Sequence, residues 1–381
     1  VGLVAALALA GGPAAAEEDG EAKPITLAVF SNMGSFKASG ANADGTQNIG
    51  YFQLIYATRD WGIGATSAYA ATDYVSTLSK ERLKRSGMTD ASIVTYYNHR
   101  AGDFMARCGV DVSIPTGKAS QTSKDLTKNI ADDINQDLLL INSYGSGLNV
   151  AGHLALSYKT GALTWGMGLR YLVAGAYDPM SDKEKDIFDP GDSLLAMASA
   201  LYNVSPEDRA LLNFSRTMQG KDKQDGKAIY RNGDVSSAEL RYMRDWADGL
   251  MTTLILAARQ QDKNERLYSG DQYKTETGNS NANTTEAGLE MAWKQSSNLL
   301  LTGAGGYKSA KANGYQVKDY LYDGGRTRWF IEPGVRWTFY NDLLLSLKAR
   351  YTEIKDNKDY FSPNGATYKV NNVDLGLIMG F

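Results

Sequence analysis

Apolar and polar residues alternate with a period of two along most of this chain. Residues 163–173 place Leu163, Trp165, Met167, Leu169, Tyr171 and Val173 on one face and Thr164, Gly166, Gly168 and Arg170 on the other. Residues 104–114 set Phe104, Ala106, Cys108, Val110, Val112 and Ile114 against Arg107, Gly109, Asp111 and Ser113. Residues 327–339 set Trp329, Ile331, Pro333, Val335, Trp337 and Phe339 against Arg328, Glu332, Gly334 and Arg336. This is the signature of strands with two unlike faces. It predicts strands near 24–37, 47–58, 62–77, 91–99, 104–118, 148–159, 163–177, 193–205, 210–218, 234–245, 250–261, 282–294, 299–309, 327–339, 343–355 and 367–381. The count is about 16, open by two because the second and eighth segments alternate poorly.

Charge on the polar face decides between two all-β architectures. A soluble sandwich would turn the apolar faces to a core, and at this length it would need several domains, yet no linker composition interrupts the chain. Apolar faces turned outward and charged faces turned inward make the inverted arrangement of a transmembrane antiparallel up-and-down β-barrel. Connection lengths agree. Short ones fall near 59–61, 100–103, 160–162, 206–209, 246–249, 295–298 and 340–342; long ones near 38–46, 78–90, 119–147, 178–192, 219–233, 262–281, 310–326 and 356–366. Short periplasmic turns and long external loops are the expected asymmetry, with both termini periplasmic. Trp61, Trp165, Trp246, Trp293 and Trp337 lie at the short turns, as one interfacial girdle, and Trp329 belongs to the other.

Composition fits this reading. The 381 residues include 39 Gly and 23 Tyr, with a net charge of −3. The mean hydropathy of −0.36 is too polar for a bundle of membrane helices. Residues 1–16, VGLVAALALAGGPAAA, read as the remnant of a secretory signal peptide, leaving 17–381 as the barrel. Cys108 has no second cysteine to pair with.

The last strand, Thr367–Phe381, puts Val373, Leu375, Leu377, Met379 and Phe381 on one face. It resembles the C-terminal strand of Gram-negative outer-membrane β-barrels, in which a terminal Phe is an assembly signal. The resemblance implies an outer-membrane location, the barrel assembly machinery as a partner, and contact with outer-membrane lipid and lipopolysaccharide. The basic segments 80–85 and 221–227 are candidates for lipopolysaccharide phosphates or for simple solvation.

Strand parity assigns the lumen. Arg107, Arg170, Arg241, Arg259, Lys294, Lys308, Arg328, Arg336, Lys348 and Arg350 are expected inside, with Asp111, Glu239, Glu286, Glu290, Glu332 and Asp374. Tyr51, Gln53, Asn149 and Ser157 add polar lining. Opposed basic and acidic rows screen solutes by charge and size, or brace the wall by pairing with each other. In the third long connection, Leu126, Ile130, Ile134, Leu138 and Ile141 recur at helical spacing. A short helix there would carry Asp125, Asp132, Asp133 and Asp137 on its other faces. By placement and charge this segment resembles the constriction loop of sixteen-stranded porins, which folds into the bore; a helix packed on the rim is the other reading. Porin resemblance implies small solutes as cargo and a homotrimer as a possible assembly.

Enzymatic and metal chemistry find little support. The two histidines, His99 and His153, are isolated, and no Cys or His cluster offers a metal site. Asp182, Glu184 and Asp186 alternate like the start of an EF-hand loop, but Ile187 and Ser193 stand where that loop needs Gly and a bidentate Glu. No enzyme activity, cofactor or nucleic-acid partner is expected. Residues 104–177 also resemble, loosely, the outer-membrane barrels of aromatic-degradation (phenol meta-) pathways, through a strand ending in Pro115-Thr116-Gly117 and the segment GSGLNVAGHLALSYKTGALTWGMGLRYLVAG. That family implies uptake of small apolar molecules; its distant fatty-acid channels carry an N-terminal plug, whereas about seven residues are expected here between the signal-peptide remnant and the first strand. The leading expectation is porin-type passive diffusion of small hydrophilic solutes. Its alternatives are a sheath or adhesion scaffold for a partner protein and a channel for apolar or aromatic molecules.

Overall fold

The computed structural model describes residues 24–39, 43–75, 82–118, 120, 138–141, 143–181, 187–268, 272–340, 343–359 and 364–381. Sixteen antiparallel strands form the wall. The first eight are β1 (Ile25–Ser39), β2 (Asp44–Ala57), β3 (Trp61–Val75), β4 (in two segments, Arg82–Met88 and Ala91–Ala101), β5 (Phe104–Ile114), β6 (Asn149–Thr160), β7 (Leu163–Val173) and β8 (Ser193–Asn203). The second eight are β9 (Asp208–Gln219), β10 (Val235–Asp245), β11 (Leu250–Gln261), β12 (Thr284–Lys294), β13 (Leu299–Ala310), β14 (Arg326–Phe339), β15 (Leu343–Asp356) and β16 (Ala366–Gly380). Each strand pairs with its sequence neighbours. β1 also pairs with β16, from Thr26 opposite Gly380 to Ser39 opposite Thr367, which closes the barrel and removes its edges.

Register sorts the side chains. Cross-strand partners share a face, so Leu154, Leu169, Leu212, Leu240, Leu256, Leu289, Ile331, Leu347 and Leu375 all lie outside. Each stays between 41 and 53% exposed because no described residue covers it. Such a band is stable only in lipid. Trp61, Trp165, Trp246, Trp293 and Trp337 face outward at the short-turn end, and Trp329 faces outward toward the long-loop end beside Tyr351. No helix among the described residues is long and apolar enough to cross a membrane; the strands do it.

One sector departs from the simple inverted pattern. β1–β3 and β14–β16 run 14 or 15 residues, against 11 or 12 for most other strands. Toward the long loops their outer face turns polar, with Lys37, Asp44, Thr46, Asp73, Glu353 and Lys369. Their inner face turns apolar there: Phe36, Tyr74, Ile354, Tyr368 and Val370 are buried in one cluster. This stretch is built like a soluble protein, core inside and charge outside. An inner face that is polar throughout, as parity alone implies, does not hold here.

Four connections read from sequence as long loops are partly strand. Segment 78–90 contains the first half of β4, whose outward Arg82 and Lys84 meet Asp73 across the ladder at 2.5 and 3.5 Å. Arg82 and Lys84 thus share one carboxylate on the wall itself. Segments 178–192, 219–233 and 262–281 contribute to a second, five-stranded antiparallel sheet at the long-loop end. Its order is Gln272–Thr275, Glu265–Tyr268, Lys227–Arg231, Asp222–Gln224, Phe188–Asp189. The Glu276 carboxylate fastens this cap. It is fully buried and accepts from the amides of Asn264 (2.9 Å) and Ser280 (2.9 Å), and from Arg266 (3.0 Å) and the Tyr315 hydroxyl (3.3 Å). Burial alone would raise its pKa, but these donors hold it below the usual carboxylate value.

Candidate functional site

The lumen has a filled side and an open side. On the filled side, the end of the long connection between β5 and β6 lies inside the barrel. Leu138 and Leu139 are buried against Phe36, Tyr74, Leu83 and Ile354 of the inner wall. Burying each leucine contributes about 2 kcal/mol. Three residues on, the side-chain amide of Gln47 on β2 makes both hydrogen bonds that a neighbouring strand would make to Ile141. Its Nε2 donates to the Ile141 carbonyl (2.7 Å) and its Oε1 accepts from the Ile141 amide (3.0 Å). Gln47 is itself buried and also donates to Thr72 (2.8 Å).

Tyr144 completes the seat. Its ring packs in a second inner cluster with Ile49, Ala68 and Ala70. Its hydroxyl lies 3.1 Å from that of Thr72 and donates to the Arg85 carbonyl at 3.3 Å, and the Arg85 guanidinium stacks 4.2 Å from the ring centroid. Burial raises the phenol pKa, so it stays a neutral donor. Small inward residues, Ala68 and Ala70, make the room for this ring.

A bulge in β4 fixes both roots of the same connection. Thr66 opposes Ser92 but Tyr69 opposes Met88, so β4 carries one residue more than β3 across this interval. The bulge presents Asp90, whose carboxylate accepts from the amide of Gly117 at 3.0 Å and that of Ser146 at 2.7 Å. Those amides lie on either side of residues 118–145. Gly117 has no space for a β-carbon, which would overlap the Tyr144 carbonyl oxygen.

The acids expected on this loop, Asp125, Asp132, Asp133 and Asp137, lie outside the described residues, as does the helix expected around them. The same holds for the EF-hand-like Asp182, Glu184 and Asp186.

Across the lumen the inner wall is accessible to water. Register places Glu239 and Arg241 of β10, Arg259 of β11, Glu286 and Glu290 of β12, and Lys308 of β13 on the inward face. Arg259 and Glu290 are exposed although they point inward. On the filled side, by contrast, the inward Gln47, Ile49, Ala70 and Thr72 are almost completely buried. A wall of 16 strands is wide enough for a partly filled lumen to keep an aqueous path.

Many inward charges are paired. Arg241 meets Glu239 at 2.7 Å, and Arg328 of β14 meets Glu286 at 3.8 Å. Glu332 takes Lys348 at 3.2 Å and Arg350 at 2.6 Å, while Asp374 accepts from Asn32 at 2.6 Å. Asp111 binds Arg170 at 3.0 Å, with buried His153 3.4 Å from its other oxygen. Arg107 donates to Asn98 at 2.7 Å and stacks on Tyr96. These contacts brace the wall. Arg259, Glu290 and Arg336 have no ion pair among the described residues. Tyr51, Gln53, Asn149 and Ser157 also face inward. The inward face is not uniformly polar on this side either: Leu195, Met197 and Leu201 of β8 and Leu211 of β9 point into the lumen.

Sequence parity could not find Gln47, Tyr144 or Asp90. Their partners lie 94, 72 and 56 residues away along the chain. A Gln on a strand and an Asp between two strand segments carry no local mark of such a role.

The chain is a transmembrane β-barrel of the outer-membrane type, on the evidence of its closed register and its lipid-facing band. No family model matches the sequence, and no curated protein does so either. Among solved structures it is similar to a bacterial polysaccharide outer membrane secretin (9% identity, covering 94% of this chain and 99% of that one, TM-score 0.47). It is also similar to the toluene transporter TodX of P. putida (10%, 95% and 91%, TM-score 0.44) and to OccK7 of Pseudomonas aeruginosa (8%, 94% and 99%, TM-score 0.41). These likenesses carry nothing about cargo.

Proposed function

We propose that this protein is an outer-membrane channel for passive diffusion of small hydrophilic solutes, narrowed by its own third long connection. The observation that carries the reading is the division of the lumen. Leu138, Leu139, Ile141 and Tyr144 are seated against one inner wall, and the wall opposite keeps water-accessible charges, Arg259 and Glu290 among them. A solute passing between them meets a rigid backbone on one side and fixed charge on the other. Size exclusion and charge screening follow from that geometry. In this reading the short turns and both termini face the periplasm and the cap sheet faces outward.

An apolar-solute channel is the second reading, favoured by the inward Leu195, Met197, Leu201 and Leu211. That patch is interrupted by Ser199 and Asn213 and lies beside Arg170, which supports a polar path more than a greasy one. Planar-bilayer recording of the refolded chain tests the proposal. Steady, ohmic openings that saturate little with solute are expected. A silent barrel that nonetheless takes up an aromatic solute into liposomes would overturn it in favour of the second reading.

A further inference from the structure

The short-turn mouth of the lumen carries two pairs of inward cations. Arg100 near the end of β4, Lys159 near the end of β6, Lys294 at the end of β12 and Arg336 near the end of β14 all face inward by register. All four are exposed, and none has an ion pair among the described residues. Lys294 and Arg336 flank the same residue, Leu300, on the strand between them. With strands spaced about 4.8 Å apart, their backbones are about 10 Å from each other. The inward carboxylate at these strand ends is Asp245, and it is already taken by Arg209 at 2.9 Å. The whole chain is net acidic, at −3, so folding has segregated charge: an acidic protein presents a basic collar to its bore.

Like charges within each pair repel, and no described carboxylate lies within ion-pair distance of them, although Asp60, Asp103 and Glu207 stand in the adjoining short turns. Water and mobile anions must relieve that repulsion. A narrow aqueous mouth bounded by lipid and protein focuses that field on whatever enters. At physiological salt the screening length is about 8 Å, comparable to the spacing of Lys294 and Arg336, so the fields of that pair overlap. Inward Arg and Lys at a pore mouth favour anions. We infer that the solutes this channel admits best are small anions, carboxylate- or phosphate-bearing, selected at the short-turn mouth. The inference rests on the channel reading and adds the sign of charge to it.

The test is the reversal potential of the full refolded chain in a potassium chloride gradient. Chloride preference is expected. It should fall at least about twofold in a Lys294→Gln/Arg336→Gln variant and further when Arg100→Gln and Lys159→Gln are added. Cation preference, or a chloride preference untouched by all four substitutions, would overturn the inference while leaving a channel in place. If the chain does not conduct, the channel reading fails by itself, and the collar is tested without current. In that case the trisulfonated dye pyranine should bind the detergent-solubilised barrel at low salt and lose that binding in the fourfold variant. Absent or variant-independent binding would sink the collar as an anion site.

Discussion

Gln47 and Ile141 are bonded as if they were neighbours in a sheet, although 94 residues separate them. One side-chain amide supplies the donor and acceptor of a missing strand, and through them the inner wall holds a loop backbone inside the barrel. Replacing Gln47 with Leu leaves the Ile141 amide and carbonyl unmatched in a buried seat, at a cost of about 1–3 kcal/mol. The tail is then expected to leave the wall. Single-channel conductance should rise, and proteolysis should begin to cut near 138–147 in the folded barrel. Unchanged conductance in a folded Gln47→Leu barrel would mean that the tail does not narrow the path.

Asp90 acts on the same loop from its roots. Asp90→Ala removes the acceptor of the Gly117 and Ser146 amides at once. Hydrogen exchange at both amides should accelerate together, because one carboxylate holds both. Faster exchange at one root alone would show that the two ends are fixed independently.

Glu276 makes the cap sensitive to acid. Its folded pKa is depressed, so its contribution is present above the ordinary carboxylate pKa and is lost as pH falls through the lower, folded value. Below about pH 4 the contacts to Arg266, Asn264 and Ser280 are expected to loosen. Loops 262–281 and 310–326 should become protease-sensitive while the barrel remains folded. Glu276→Gln should show that sensitivity already at pH 7 and lose most of its pH dependence.

Glu332 is the hub of an inward triad with Lys348 and Arg350. Removing the hub leaves two cations facing each other near its buried position. Glu332→Gln is expected to cost about 1–2 kcal/mol, moderated by the partial exposure of both partners. Urea unfolding in micelles should report it as a lower midpoint. Adding Lys348→Gln to Glu332→Gln should recover part of the loss.

How much of this was legible beforehand follows from where each interaction lives. The alternation in 163–173 fixed both the strand and its outward face, because a lipid-facing residue interacts with solvent lipid and needs no partner to be specified. Arg107, Arg170, Glu290 and Arg350 were placed by the same arithmetic of parity. Phe36, Tyr74 and Val370 obey the parity but not its polarity. Whether an inward aromatic meets water or the Leu138–Leu139 pair depends on a loop that returns from elsewhere. The cap was illegible for a related reason: Lys227–Arg231 is a strand only because Asp222–Gln224 and Glu265–Tyr268 lie beside it.

The sequence by itself determined most of the wall: strand number to within two, inward and outward faces, girdles and most of the alternation of short and long connections. These are local, period-two properties enforced by the bilayer on every strand separately. Only the tertiary structure decided which half of the lumen is filled, which charges are spent on each other and which remain at the mouth. Those depend on contacts between residues far apart in the chain, and neither periodicity nor composition records which of them will meet.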